Sequence, residues 1–190
     1  MSCASCLVTS SPELEDPEQT APELIASSAK PDLPEILVIE PGTSRVTFSA
    51  EVRSEQDLGQ PIFVRLYVDY GVESARDQPF LDSFSGVELL PSSSAGPARR
   101  ASVDAVIPDG FSGCHTYTLI VSHAFDQVTN CPERLADSSQ LTWQALICDD
   151  TGPCPPPIGD PRLDCPVATQ FCPEVPDDPT SGQGGGDGAP

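Results

Sequence analysis

Cysteine and histidine are the residues of this chain best able to do chemistry: eight of the first, two of the second. The cysteines are Cys3, Cys6, Cys114, Cys131, Cys148, Cys154, Cys165 and Cys172. An even count of this density in 190 residues fits a disulfide framework, and disulfides persist in oxidising compartments. The competing chemistry is zinc, because Cys3-Ala4-Ser5-Cys6 has the spacing of half a thiolate site. A second Cys-x-x-Cys to complete it is absent. His115 and His123 fall eight positions apart on one alternating segment, which separates them by about 26 Å in an extended chain. They cannot hold one metal ion between them, and no metal site is expected. Each is expected to be a strand-edge or packing residue.

A hydrolytic triad needs Ser or Cys, His and Asp to converge. The chain carries no Gly-x-Ser-x-Gly elbow, no phosphate loop and no dinucleotide fingerprint. It therefore reads as a non-enzyme with no catalytic residue and no cofactor. Asp149-Asp150, Asp160, Asp164 and Asp177-Asp178 could gather calcium, but their spacing matches no ligand loop, and they read as solvated. Trp143 with Tyr67 and Tyr70 could make a sugar platform, yet Trp143 is in phase with Leu141 and Ile147 and is expected in the core.

The charge narrows the partners. Nine Lys and Arg stand against 29 Asp and Glu, a net charge of −20. Such a surface cannot neutralise phosphates, so nucleic acid is excluded as a partner. Unaided adsorption to anionic lipid is disfavoured for the same reason. No apolar run approaches the ~18 residues needed to span a bilayer.

The elements that must position these residues alternate with period two. Glu35-Ile-Leu-Val-Ile-Glu40 is a short apolar run closed by Pro41-Gly42. In "RVTFSAEVRSE", Val46, Phe48, Ala50 and Val52 share a face. In "PIFVRLYVDYG", Ile62, Val64, Leu66, Val68 and Tyr70 do so. "ASVDAVIPDG" aligns Ala101, Val103, Ala105 and Ile107 before a Pro-Asp-Gly turn. "CHTYTLIVSHAF" aligns His115, Tyr117, Leu119, Val121, His123 and Phe125, and "LTWQALIC" aligns Leu141, Trp143, Ala145 and Ile147. Alternation in six segments, enriched in β-branched and aromatic residues and without a 3.6-residue stripe, predicts strands. A seventh is expected near Val87–Leu90, inside the long 71–99 connection.

The predicted fold class is all-β: an antiparallel two-sheet sandwich of six or seven strands over 34–149, with disordered N- and C-terminal tails. Residues 1–33 hold Pro12, Pro17, Pro22 and Pro31 among acidic side chains and read as a tether. Residues 150–190 are rich in Cys, Pro and Gly and read as a mostly irregular tail.

Two resemblances sharpen this reading. "GCHTYTLIVSHAF" and "LTWQALI" resemble the last two strands of bacterial extracytoplasmic immunoglobulin/fibronectin-III-like domains. Cys3-Ala4-Ser5-Cys6, followed by an acidic Pro-rich stretch, resembles the end of a bacterial lipobox. Together they resemble surface lipoproteins of high-GC bacteria. The resemblance implies a lipid on Cys6 and a location at the outer membrane, cell surface or periplasm. Only five residues precede Cys6, so an in-frame basic and apolar leader is expected upstream.

With Cys3 removed and Cys6 lipidated, six cysteines remain, enough for three bridges. Strand parity points Cys114 and Cys148 outward, and a hairpin turning near 126–139 predicts a bridge between them. Cys131 is left to meet Cys154 or a later tail cysteine, and Cys165–Cys172 could close a small loop. A change at Cys172, on the tail, is expected to matter less than one at Cys148. The expected function is a non-catalytic, envelope-anchored binding or structural module. Its contact surface for a protein or polysaccharide partner is the 71–99 loop, and the membrane is met through the lipid alone. The alternative is a secreted carbohydrate-binding or accessory domain, which would require a row of exposed aromatics.

Overall fold

The computed structural model describes residues 20–33, 35–54, 59–72, 78–91, 98–149 and 172. Cys3, Cys6, Cys154, Cys165 and the two tails expected to be disordered lie outside them, apart from Cys172 and the segment from Thr20. The described residues form eight strands and one short 3-10 helix. The strands are β1 (Glu23–Lys30), β2 (Leu37–Ile39), β3 (Arg45–Arg53), β4 (Phe63–Val68), β5 (Asp82–Ser85), β6 (Arg99–Val106), β7 (Gly113–Ser122) and β8 (Ser138–Ile147). They make two facing sheets, β1-β3-β6 and β2-β8-β7-β4-β5. The pairings are antiparallel except that β2 runs parallel to β8. No helix among the described residues is long and apolar enough to cross a membrane.

The alternation read from the sequence becomes the core. Phe48, Val64, Leu66, Val103, Leu119, Val121 and Trp143 are all buried between the sheets. Phe48 stacks on Tyr117 at 4.7 Å and meets Trp143 edge-on at 5.2 Å. These offset and edge contacts suit the charge distribution of aromatic rings.

Two strands depart from expectation. β1 lies inside the stretch read as tether, so the domain begins near Glu23 rather than at residue 34. Only Leu24 and Ala29 of β1 are buried, and its register against β3 breaks between Ile25 and Lys30. That irregularity removes the period-two signal. Ser28 repairs the gap, donating to the Ile25 carbonyl and accepting from the Glu51 amide at 2.7 Å. The strand of the 71–99 connection is β5, earlier than Val87–Leu90, where Leu89 makes only an isolated bridge to Ile62.

β5 leaves its sheet through Gly86, whose amide donates to the Val64 carbonyl at 2.9 Å. A Cβ at residue 86 would stand 2.7 Å from Val103 Cγ2 and 3.0 Å from both the Ser102 carbonyl oxygen and Val64 Cβ. The carbonyl belongs to β6 and cannot give way cheaply. Gly86→Ala is expected to destabilise the domain by roughly 1–3 kcal/mol, as overpacking does. A urea midpoint equal to the parent's would show that residue 86 does not seat between the sheets.

The outer face of the larger sheet carries a second, smaller core. Tyr67 of β4 and Ile120 of β7 point away from the main core and are covered by Tyr70, Phe80, Phe125, Cys131, Cys172 and Leu135. Tyr70 was expected on the Val68 face. Asp69 has φ of +51°, a left-handed turn that ends the alternation and sends Tyr70 to the other side. Tyr67 donates to the Asn130 carbonyl, and Arg65 lies 5.1 Å over the Phe125 ring.

Burial pushes the hydroxyls of Tyr67, Tyr70 and Tyr117 above their ordinary range; the neighbouring Asp69 charge adds to this at Tyr117, while Arg65 opposes it at Tyr67. These are all three tyrosines of the chain. A folded-state value above the unfolded one gives stability that is intact below about pH 10 and lost as pH rises beyond it. Tyrosinate absorbance is therefore expected to appear together with cooperative unfolding in an alkaline titration. A smooth rise near pH 10 in a chain still folded by circular dichroism would contradict the burial.

Candidate functional site at the Asp69 corner

The turn after β4 builds the most organised polar corner of the domain. Asp69 is buried, and its backbone amide donates to the Thr116 carbonyl at 2.8 Å. Its carboxylate accepts the Thr116 amide at 2.9 Å on one oxygen and His115 Nδ1 at 2.8 Å on the other. The left-handed backbone suits an aspartate, which tolerates that region better than most residues. The second histidine nitrogen, Nε2, faces the Ser112 carbonyl at 3.3 Å. The imidazole stacks on Phe111 at 4.0 Å, with the planes 21° apart. The corner thus ties the end of β4 to the start of β7 and holds Phe111 in place.

Through these contacts the Asp69–His115 pair clamps the end of β4 to the start of β7. His123 forms the other histidine pair, with Nδ1 2.7 Å from Asp137 and both side chains nearly buried. It fastens the far end of β7 to the 3-10 helix Leu135–Asp137. The sequence read both histidines as strand-edge or packing residues on one segment; His115 lies in β7, His123 directly follows its end, and their carboxylate partners were not foreseen. Asp69 lies 46 positions away from His115, and nothing local announces the contact. Among the described residues no group of three or more His, Cys, Asp and Glu could hold a metal ion.

Two hollows flank Phe111. One, of about 340 Å³, lies between the open edges β5 and β6, walled by Val68, Leu81, Phe84, Val106 and Phe111, with Asp82 at its side. The other, of about 180 Å³, shares Pro108 and Phe111 with the first and is lined by Glu40, Thr43, Ser44 and Asp109.

Cys114, Cys131, Cys148 and Cys172 are each in a disulfide. Cys131 is joined to Cys172, one of the tail pairings that the sequence left open, with Cα atoms 5.7 Å apart. The ladder places Cys148 two positions from the residue opposite Cys114, within the residue or two expected from the sequence. Cys114 stands opposite Leu146, and Cys148 follows Ile147 past the end of β8, its amide donating to the Ile39 carbonyl of β2 at 3.0 Å. Diagonal neighbours across a ladder sit ~7–8 Å apart, beyond the ~4.4–6.8 Å that a disulfide spans. Cys114 and Cys148 are therefore expected in separate bridges. Non-reducing peptide mapping that returned the two in one bridged pair would overturn this.

No family model and no curated protein matches this chain. Among solved structures, the alkylpurine DNA glycosylase AlkC of Pseudomonas fluorescens, bound to DNA with an abasic site analog, aligns at 16% identity and a TM-score of 0.37. That alignment covers 66% of this chain and 30% of the glycosylase. The apo form of the Calx CBD1 domain aligns at 18% identity and a TM-score of 0.29, over 61% of this chain and 93% of that domain. At these scores neither likeness carries a functional argument.

Proposed function

We propose that this chain is a non-catalytic, extracytoplasmic binding module, held to the cell envelope by a lipid on Cys6. The observation that carries the reading is the oxidised state of Cys114, Cys131, Cys148 and Cys172, because structural disulfides belong to exported proteins. The chain's entry supports it. Pro22 and Leu24 are fastened to Ser139, beside the end of β7 opposite the Asp69 corner. A tether anchored ahead of Thr20 would therefore present that corner away from the membrane. The passage of the chain from β1 in one sheet to β2 at the edge of the other supports the immunoglobulin/fibronectin-III likeness of the domain.

The described part of the 71–99 connection exposes Leu81, Val87 and Leu90, which suits a contact surface. The aromatics that a polysaccharide platform would use weigh against the carbohydrate alternative, since Trp143, Tyr67, Tyr70 and Tyr117 are all buried. Export and anchoring are tested together by expressing the gene with its upstream region and partitioning the cells with detergent. The protein should enter the detergent phase with no free thiols, and Cys6→Ala should move it to the aqueous phase. Recovery from the cytosol with reactive thiols would overturn the reading.

A further inference from the structure

We infer that the two hollows beside Phe111 form one docking site for a cationic peptide segment of a partner protein, anchored by an apolar side chain. The first hollow supplies the apolar seat. Leu81 and Val106 on its rim are 46% and 48% exposed; Leu81 directly precedes β5, and Val106 ends β6. Its volume of about 340 Å³ accommodates a leucine or phenylalanine side chain and not a folded element. Phe84 and Val106 bring it to β5 and β6, which are outermost in their sheets and bonded on one side among the described residues. An extended segment can therefore lie along either edge while its side chain fills the seat.

The charge identifies the occupant. The neighbouring hollow is lined by Glu40 and Asp109 with no Lys or Arg among its lining residues, and Asp82 stands beside the apolar seat. Arg45 is the cation closest in register to this end, and Asp104 already takes it at 3.3 Å. Arg53, Arg99 and Arg100 lie at the other end of their strands. The chain as a whole carries −20, so a basic segment is favoured at long range as well as in the hollow. Phe111 divides the two hollows, so the apolar anchor and the cation belong within a residue or two of each other on the ligand. The Asp69–His115 clamp holds that dividing wall in place.

This inference rests on the reading of the domain as a binding module, and its test is independent of localisation. The probe is a fluorescein-labelled synthetic peptide alternating lysine with leucine, titrated against the oxidised protein by anisotropy. Comparison peptides replace lysine by glutamate, or leucine by serine. Each replacement should weaken binding by at least about tenfold. The double change Leu81→Ser with Val106→Ser should do the same, as should Glu40→Gln with Asp109→Asn, which should also flatten the salt dependence. Val128→Ser, at an exposed position outside both hollows and outside the 71–99 connection, should leave affinity unchanged. Urea midpoints verify that every variant folds. Equal binding of the glutamate peptide, or affinity unmoved by both cleft pairs, would overturn the site. Because detergent partition is read separately, that failure would leave the anchored-module reading standing.

Discussion

Cys172→Ser is expected to lower the stability of the domain by about 4 kcal/mol, on the chain-entropy arithmetic for a bridge that closes a separation of 41 residues. The tail position of Cys172 conceals this from the sequence. In the fold it is only 3% exposed and packs with Tyr70, Cys131 and Phe80 on the outer face of the larger sheet. Its backbone also hydrogen-bonds the Tyr70 hydroxyl. Cutting the bridge frees that contact along with the covalent tie. The same loss should follow from Cys131→Ser, and the double variant should add little, because both changes remove one interaction. Urea melts of the three variants and the parent decide the matter. A loss under about 1 kcal/mol would mean that the second core holds without the bridge.

That second core marks where the sequence stopped being informative. The parity of β4 and β7 was legible: Val64, Leu66, Tyr117, Leu119 and Val121 are buried on the predicted face. The opposite face of an antiparallel sheet commonly meets water. Tyr67 and Ile120 contradict it, because loop residues and Cys172 cover them. Coverage by distant loops leaves no periodic trace. β5, of four residues, is too short for alternation to distinguish it from a turn. β1 failed for a different reason. Its composition is that of a linker, and its place in the sheet depends on β3 and on the Ser28–Glu51 repair. Pairing in the folded chain overrode local propensity there. At the Asp69 corner the partner of His115 is not legible locally, since a contact across 46 positions is set by topology alone.

Trp143 is where topology and core meet, and Trp143→Ala is expected to cost about 5 kcal/mol, a large share of the stability of a small domain. The ring is 0% exposed and meets Phe48 edge-on at 5.2 Å. Its Nε1 donates to the Pro31 carbonyl at 2.6 Å. Pro31 lies in the crossing between β1 and β2, so this indole ties β8 to the point where the chain changes sheets. Alanine would open a cavity and leave that carbonyl without its donor. Trp143→Phe separates the two effects, because it keeps most of the packing and removes only the hydrogen bond. It should cost roughly 2 kcal/mol, the range for a part-buried acceptor that loses its partner. Chemical denaturation followed by far-ultraviolet circular dichroism reads both variants. If phenylalanine proves as damaging as alanine, the crossing depends on the hydrogen bond more than on packing. If alanine costs less than about 2 kcal/mol, Trp143 is not the centre of the core that the burial indicates.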